Sequence, residues 1–205
     1  MIAAPVTQLA VVQSKLKIPE KVMPPKRDSS ITPTEVLRSI VQANRQLNLL
    51  LDRRFTPSDV FERVTQAIGY ASVLLAEFPM ATRIPPPPDF KRKKRPADVY
   101  RLLSLVYQSI REVGQISGEK MLRFELKNGG LDSVAPSDVY DIASLLVSEL
   151  THLYQQSSTT RMPPRSFYPG RKTPSHVYQR AGILQKQLEL LVQLVKKNPQ
   201  WLKKK

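Results

Sequence analysis

The chain has 205 residues, no cysteine and a formal net charge of +15. The lack of cysteine excludes disulfides, thiolate metal sites and cysteine nucleophiles, and a chain of this length can bury a core without such cross-links. Since no apolar run approaches the ~18 residues needed to cross a bilayer, the sequence also predicts no transmembrane segment.

Residues 1–32 are predicted to form an extended or disordered arm, because they hold scattered charges together with Pro19, Pro24 and Pro25. The first twelve residues are mildly apolar but lack a basic start, so they do not make an intact signal peptide. The compartment stays open, with an exported mature form favoured over a cytoplasmic protein.

A five-residue motif occurs five times and predicts five helix starts. It reads proline, any residue, an acid or histidine, valine, and then an aromatic residue or leucine. The copies are Pro33-Thr-Glu-Val-Leu, Pro57-Ser-Asp-Val-Phe, Pro96-Ala-Asp-Val-Tyr, Pro136-Ser-Asp-Val-Tyr and Pro174-Ser-His-Val-Tyr. Proline is favoured at the first helical position, and an acid in the first turn interacts well with the helix dipole. Thr32, Thr56 and Thr173 precede three copies as predicted N-caps.

Behind each motif, apolar residues follow a 4-3-4-3 spacing, which predicts one packing seam per helix. The seams are Val36, Ile40, Ala43, Leu47 and Leu50; Val60, Val64, Ala67, Ala71, Leu74 and Phe78; Val99, Leu103, Val106, Ile110 and Val113; Val139, Ala143, Leu146, Leu150 and Leu153; and Val177, Ala181, Leu184, Leu188, Leu191 and Val195. The predicted fold is therefore all-α, a bundle of five helices at about 33–52, 57–78, 97–115, 137–156 and 175–197. These helices are expected to form a single domain over residues 33–197, followed by a basic tail at 198–205. Wider apolar faces predict that the third and fourth helices are the most central.

The connections differ in length and leave the topology open. The short link 53–56 predicts an antiparallel hairpin, whereas 79–95 and 157–173 are long, rich in proline and carry charges of +5 and +4. A proline-rich stretch of ~10 residues spans about as far as a helix of ~20 residues. Such connectors can return the chain to the end where the previous helix began, which would make helices two to five parallel. The alternative is an up-and-down bundle with loose loops. Segment 116–135 is interpreted as a short helix or irregular segment, with a short strand as the other reading.

No catalytic signature occurs in the sequence, so no catalytic residue and no cofactor is predicted. There are two histidines, and there is no phosphate-binding loop, dinucleotide-binding glycine pattern or zinc-protease motif. His152 is interpreted as an ordinary, partly exposed histidine. Asp98, Asp138 and His176 would lie close together in a parallel bundle and are the candidates for a metal site. Helix capping already accounts for all three, so no metal is predicted.

Two further sets of residues are candidates for binding. The motif aromatics Phe61, Tyr100, Tyr140 and Tyr178 are candidates for a ligand or partner surface, with simple flanking of the core as the plainer interpretation. The basic connectors are the candidates for anion binding, through Lys91, Arg92, Lys93, Lys94, Arg95, Arg171 and Lys172. Their plainer interpretation is that they are solvated loops.

These patterns favour a non-enzymatic helical binding or scaffold module whose partner is a protein or an anionic surface. The first alternative is binding of nucleic acid or another anionic polymer through the basic connectors. The second alternative is a small-ligand sensor with a pocket at the motif end of the bundle. The sequence does not predict the identity of the partner or the oligomeric state.

Overall fold

A computed structural model of the chain describes residues 14, 30–50, 54–123, 134–164 and 170–202. Regular secondary structure in these ranges is helical and includes no strand, which confirms the all-α class. The helices are α1 (Pro33–Leu50), α2 (Pro57–Leu75), α3 (Pro96–Ser117), α4 (Pro136–Gln156) and α5 (Pro174–Lys197). Each begins at the proline of one motif copy, as predicted. Residues 1–13 and 15–29 of the predicted arm and residues 124–133 of segment 116–135 lie outside the described residues.

The chain divides into two compact units. One comprises residues 1–54 and 122–124 and contains α1, and the other comprises residues 55–121 and 125–205 and contains α2 to α5. We call the second the four-helix unit. The expectation of one domain over residues 33–197 stays a prediction.

In its own unit, α1 has a complete capping box. The backbone N–H of Thr32 donates to the Glu35 carboxylate at 2.8 Å, and the Glu35 N–H donates back to Thr32 Oγ1 at 3.3 Å. Two hydrogen bonds from Thr32 lower the pKa of Glu35. The bond from the backbone N–H contributes most, and the bond from the hydroxyl comes second. The seam behind the cap is not buried along its length, since Leu47 is buried but Val36 is 45% and Leu50 69% exposed.

In the other four helices, the motif acid or histidine likewise caps the N-terminus. The backbone N–H of the residue before each proline donates to the third motif position, at distances of 2.8 to 3.2 Å. The pairs are Thr56 with Asp59, Arg95 with Asp98, Ala135 with Asp138, and Thr173 with His176. Since this bond uses only the backbone of the cap residue, Arg95 and Ala135 can serve at that position despite their side chains.

The four helices of this unit run parallel. One small cavity is lined by the motif proline and motif valine of every one of them, so their N-termini meet at one end. We call this end the motif end. At the opposite end, Trp201, which follows α5, donates its indole N–H to Ser117 Oγ of α3 at 2.8 Å and packs on Phe78, which follows α2.

Each helix in this unit packs against two neighbours. The packed pairs are α2 with α4, α4 with α3, α3 with α5, and α5 with α2. The helices therefore form a square in which α2 faces α3 across one diagonal and α4 faces α5 across the other. The prediction that the third and fourth helices are more central than the fifth is wrong, because the fifth has as many helix neighbours as they do.

Large and small seam residues alternate between the two diagonals, which lets parallel helices of equal rise fill the core. In the layer after the motif valines, Val64 and Leu103 share one diagonal and Ala143 and Ala181 the other. In the next layer the larger pair lies on the other diagonal, with Leu146 and Leu184 facing the smaller Ala67 and Val106. All eight side chains are fully buried. The seams predicted for α2 to α5 therefore form this core.

The connector from α2 to α3 runs back along α5. Gln187 of α5 donates to the Arg83 carbonyl at 2.6 Å, Lys186 to the Pro86 carbonyl at 3.2 Å and Gln179 to the Pro88 carbonyl at 2.9 Å. Rising residue numbers in the connector thus meet falling numbers in α5. Because the proline-rich segment extends over the length of the helix, the chain can start α3 at the same end as α2.

The connector from α4 to α5 runs back along α2 in the same manner. Ser158 Oγ donates to the Glu77 carboxylate at 2.9 Å just beyond the end of α2, and Ser58 Oγ in the first turn of α2 donates to the Gly170 carbonyl at 2.9 Å. Between these points, the Pro164 ring lies beside Gly69 of α2. The described parts of both long connectors therefore pack on helices.

Substituting Gly182 with alanine tests this packing through the sign of its effect. Alanine is favoured over glycine inside a helix by about 1 kcal/mol, so a loose connector predicts a more stable protein. In the structure a Cβ at this position would lie 2.7 Å from Pro88 Cγ. We therefore expect Gly182→Ala to lower the free energy of unfolding by about 1–3 kcal/mol, the usual range for overpacking. Urea denaturation measures the change, and adding Pro88→Ala should recover part of the loss. A stabilised Gly182→Ala variant would contradict the packing.

Candidate partner-binding end of the four-helix unit

The second motif position joins two of the helix starts to a neighbouring segment. Ser58 of α2 accepts the backbone N–H of Lys172 at 2.9 Å, and Ser175 of α5 accepts that of Lys94 at 3.1 Å. Lys172 and Lys94 both stand two residues before a motif proline. The segment that leads into α5 is thus bonded to α2, and the segment that leads into α3 is bonded to α5.

The aromatic residue at the fifth motif position contacts a side chain of the same segment that leads into the neighbouring helix. Lys172 lies over the Phe61 ring with its Nζ 5.1 Å from the centroid, and Lys94 lies over the Tyr178 ring at 4.5 Å. Phe55, the equivalent residue before α2, stacks on Tyr140 with centroids 4.1 Å apart. These three contacts follow one direction around the square, from α3 to α5, from α5 to α2 and from α2 to α4.

Two arginines at the seventh position of their copies reinforce these contacts. Arg63 of α2 donates to the Tyr140 hydroxyl at 3.0 and 3.1 Å. Arg180 of α5 donates to Thr65 Oγ1 at 3.1 Å, and its guanidinium lies 5.4 Å from the Phe61 centroid. Burial lowers the pKa of Arg180 below the usual arginine value. Sequence reasoning missed these arginines, because their partners belong to other helices.

The predicted ligand surface of four aromatics is therefore placed on the sides of the bundle. Phe61, Tyr140 and Tyr178 are half-buried against the leading segments, and Tyr100 is 4% exposed. None of the four lines the cavity at the motif end. These contacts give the aromatics a packing role, and a ligand role for them stays a prediction.

The cavity at the motif end is a small apolar dimple that is open to solvent. Its lining consists of the four motif prolines and the four motif valines. The valines are 2 to 4% exposed and form the floor. Proline has no backbone N–H, so the first position of each helix offers no donor to this dimple.

The predicted anion-binding residues precede α3 and α5, two helices that pack against each other. Lys94 and Lys172 are half-buried, and Lys94 Nζ also lies 3.9 Å from the Asp98 carboxylate. The other five are exposed: Lys91, Arg92, Lys93, Arg95 and Arg171. Within the described ranges, Lys91, Arg92, Lys93 and Arg171 form no ion pair. We call these four the exposed cations.

Contacts hold the two basic segments close to one another. The Lys94 backbone bonds to Ser175 in the first turn of α5, as described above. The Phe90 ring, one residue before Lys91, packs on the His176 ring with centroids 5.1 Å apart. Lys93 has a φ of 58°, in the left-handed region, and this turn directs the chain towards α3. The exposed cations of both segments therefore lie near the N-terminus of α5, at the motif end.

The metal candidates are used for capping on three different helices. Asp98 and Asp138 accept backbone N–H groups of their own cap residues. His176 Nδ1 accepts the Thr173 N–H at 3.2 Å and so must be unprotonated in this bond. Among the residues that the structure describes, no three histidine, aspartate or glutamate side chains form a group suited to a metal ion.

Two residues near the opposite end have partners that the sequence did not predict. His152 Nε2 of α4 lies 3.3 Å from the carboxylate of Glu119, which follows α3. Trp201 and Leu202, placed by prediction in a basic tail, are buried with 4 and 7% exposure. Lys203–Lys205 lie outside the described residues. Trp201 is therefore engaged in the bundle and does not present its ring to a partner.

No protein-family model, no curated protein and no solved structure matches the chain. In the part of the chain that the structure describes, none of the helices has the length and apolar character needed to cross a membrane.

Proposed function

We propose that this protein is a non-catalytic binding module whose motif end binds an acidic surface of another protein. The observation that carries the proposal is the parallel arrangement of α2 to α5. It brings the exposed cations of two separate connectors to one end. The positive ends of four helix dipoles lie at the same end.

Charge at this end is only partly balanced from within. The carboxylates of Asp59, Asp98 and Asp138 each accept the cap amide of their own helix. α5 has the histidine in place of a carboxylate. The exposed cations are left to face solvent, where an acidic partner gains from complementarity in both affinity and rate of association.

Nucleic-acid binding is the second candidate, and a specific observation favours it. Phe90 is 44% exposed and adjoins Lys91, so an aromatic face stands beside the exposed cations. Base stacking on such a ring is a common feature of single-strand binding. We place this candidate second because Phe90 also packs on His176, which occupies part of its surface.

The small-ligand sensor receives no support from the lining of the motif end. The dimple is lined by proline and valine, which offer no side-chain hydrogen bond to orient a metabolite. The four motif aromatics, which the sensor hypothesis used as pocket walls, lie elsewhere.

The proposal is tested by measuring binding of poly-L-glutamate to the full chain over a range of salt concentrations. The variant that removes the exposed cations carries Lys91→Gln, Arg92→Gln, Lys93→Gly and Arg171→Gln. Glycine suits position 93 because it adopts the left-handed region without strain. Exposed ion pairs contribute about 0.2–1 kcal/mol each, so affinity should fall about tenfold.

A matched control removes four exposed cations elsewhere, with Arg83→Gln, Arg111→Gln, Arg161→Gln and Lys197→Gln. It has the same net charge as the first variant and should lose much less affinity. Equal losses in both variants, or no binding by the natural sequence at low salt, would overturn the proposal. If random-sequence single-stranded RNA binds more tightly than poly-L-glutamate at equal salt, the nucleic-acid candidate replaces it.

A further inference from the structure

The dimple and the exposed cations together favour a partner that carries an apolar group as well as negative charge. Four helix N-termini that meet at one point would usually present free backbone N–H groups. Here the first position of each is proline, which has none, and the cap amides are bonded to the third motif position. The centre of the motif end is therefore apolar, and the cations lie around it.

An apolar centre with a charged rim is the usual composition of a protein-binding site. The valines of the floor are nearly buried, so the apolar surface is recessed. A recessed surface is filled by a side chain that protrudes from the partner. A membrane would instead require apolar groups that protrude from this protein, and a nucleic-acid base would leave its polar edges without partners on proline and valine.

We propose that the dimple receives a single aliphatic side chain from an acidic segment of a partner protein, with the acidic residues on the exposed cations. This inference rests on the proposed function and adds the apolar anchor to it. Burial of one such anchor at the centre of the site makes the apolar contact the source of specificity, while the cations supply a less specific attraction.

Two synthetic peptides test the inference on the full chain. One consists of a leucine flanked on each side by four glutamates, and the other has serine in place of the leucine. Burial of the leucine should make the first peptide bind about tenfold more tightly. Both peptides should weaken equally when the exposed cations are removed.

Val139→Leu extends a floor residue into the dimple and should abolish the preference for the leucine peptide. The preference is measured as the ratio of the two affinities in this variant, and circular dichroism at 222 nm checks that it is folded. A second variant, Pro136→Ser, places a polar group on the exposed rim and should reduce the preference without filling the floor.

The outcomes separate this inference from the proposed function. Equal affinity for both peptides, with normal loss on removal of the cations, overturns the anchor and leaves the proposed function standing. Binding of neither peptide overturns both. A leucine preference that survives both Val139→Leu and Pro136→Ser shows that the anchor binds elsewhere, and it also overturns the inference.

Discussion

Substituting Leu103 with alanine should lower the free energy of unfolding by about 2–5 kcal/mol, the range for removing a buried leucine from a core. Leu103 is fully buried in a layer where the neighbouring α4 and α5 supply only alanine, at Ala143 and Ala181. Those small residues cannot fill the space that the leucine leaves. Urea denaturation followed by circular dichroism at 222 nm measures the loss.

The layer also predicts that a second substitution, at Ala143, compensates in part for the loss of Leu103. Ala143→Leu alone should overpack the layer and cost about 1–3 kcal/mol, but in the Leu103→Ala background it should recover part of the loss. The effects of the two changes are therefore expected to be non-additive. Leu105→Ala is a matched control on the same helix, because Leu105 is 48% exposed. Its effect should stay within about 0.5 kcal/mol. Strict additivity of Leu103→Ala and Ala143→Leu would contradict the layer.

Trp201→Ala is expected to be at least as damaging, with a loss of about 3–5 kcal/mol. The indole is 4% exposed, packs on Phe78 and donates to Ser117. Its removal opens a cavity at the end opposite the motifs and leaves the Ser117 hydroxyl without this donor. Thermal and urea denaturation of the full chain measure the effect.

Two truncations provide the control for Trp201. A chain that ends after Leu202 keeps the indole and should retain nearly full stability. A chain that ends after Lys197 should be destabilised as strongly as Trp201→Ala. If both truncations behave alike, the residues after α5 do not close this end of the bundle.

Helix starts and seams could be predicted because their causes are local. Proline at the first position and an acid two residues later act within one turn, and the apolar spacing is a property of a single helix. The motif therefore located all five helix starts. It did not show how far each seam is buried, since Val36 and Leu50 of the first copy have the same pattern as their buried equivalents.

Helix direction was left open because a seam does not encode it. Parallel and antiparallel neighbours both bury a 4-3-4-3 stripe. The deciding contacts join the connectors to helices about 100 residues away along the chain, such as Gln179 with Pro88 and Ser58 with Gly170. Pairings at that distance have no signature in one sequence.

The candidate site was predicted in its parts and not in its arrangement. Five of the seven predicted anion-binding residues are exposed, whereas Lys94 and Lys172 are half-buried over aromatic rings, and anion binding by all seven stays a prediction. The motif aromatics have partners two residues before a different proline, such as Phe55 on Tyr140. A pocket at the motif end was predicted only as an alternative that requires parallel helices, and its lining by proline and valine was not predicted.

The direction of the helices can be measured by pulsed electron spin resonance between pairs of spin labels. The chain has no cysteine, so two introduced cysteines are the only labelled positions. The pairs are Arg101→Cys with Ala135→Cys, and Arg101→Cys with Gln155→Cys. All three sites are exposed.

With 1.5 Å of rise per residue, parallel α3 and α4 separate the first pair by about 9 Å along the axis and the second by about 21 Å. We predict that the Arg101 to Ala135 distance is the shorter of the two. An Arg101 to Gln155 distance shorter than it would show that α3 and α4 are antiparallel, and would remove the motif end on which the proposed function rests.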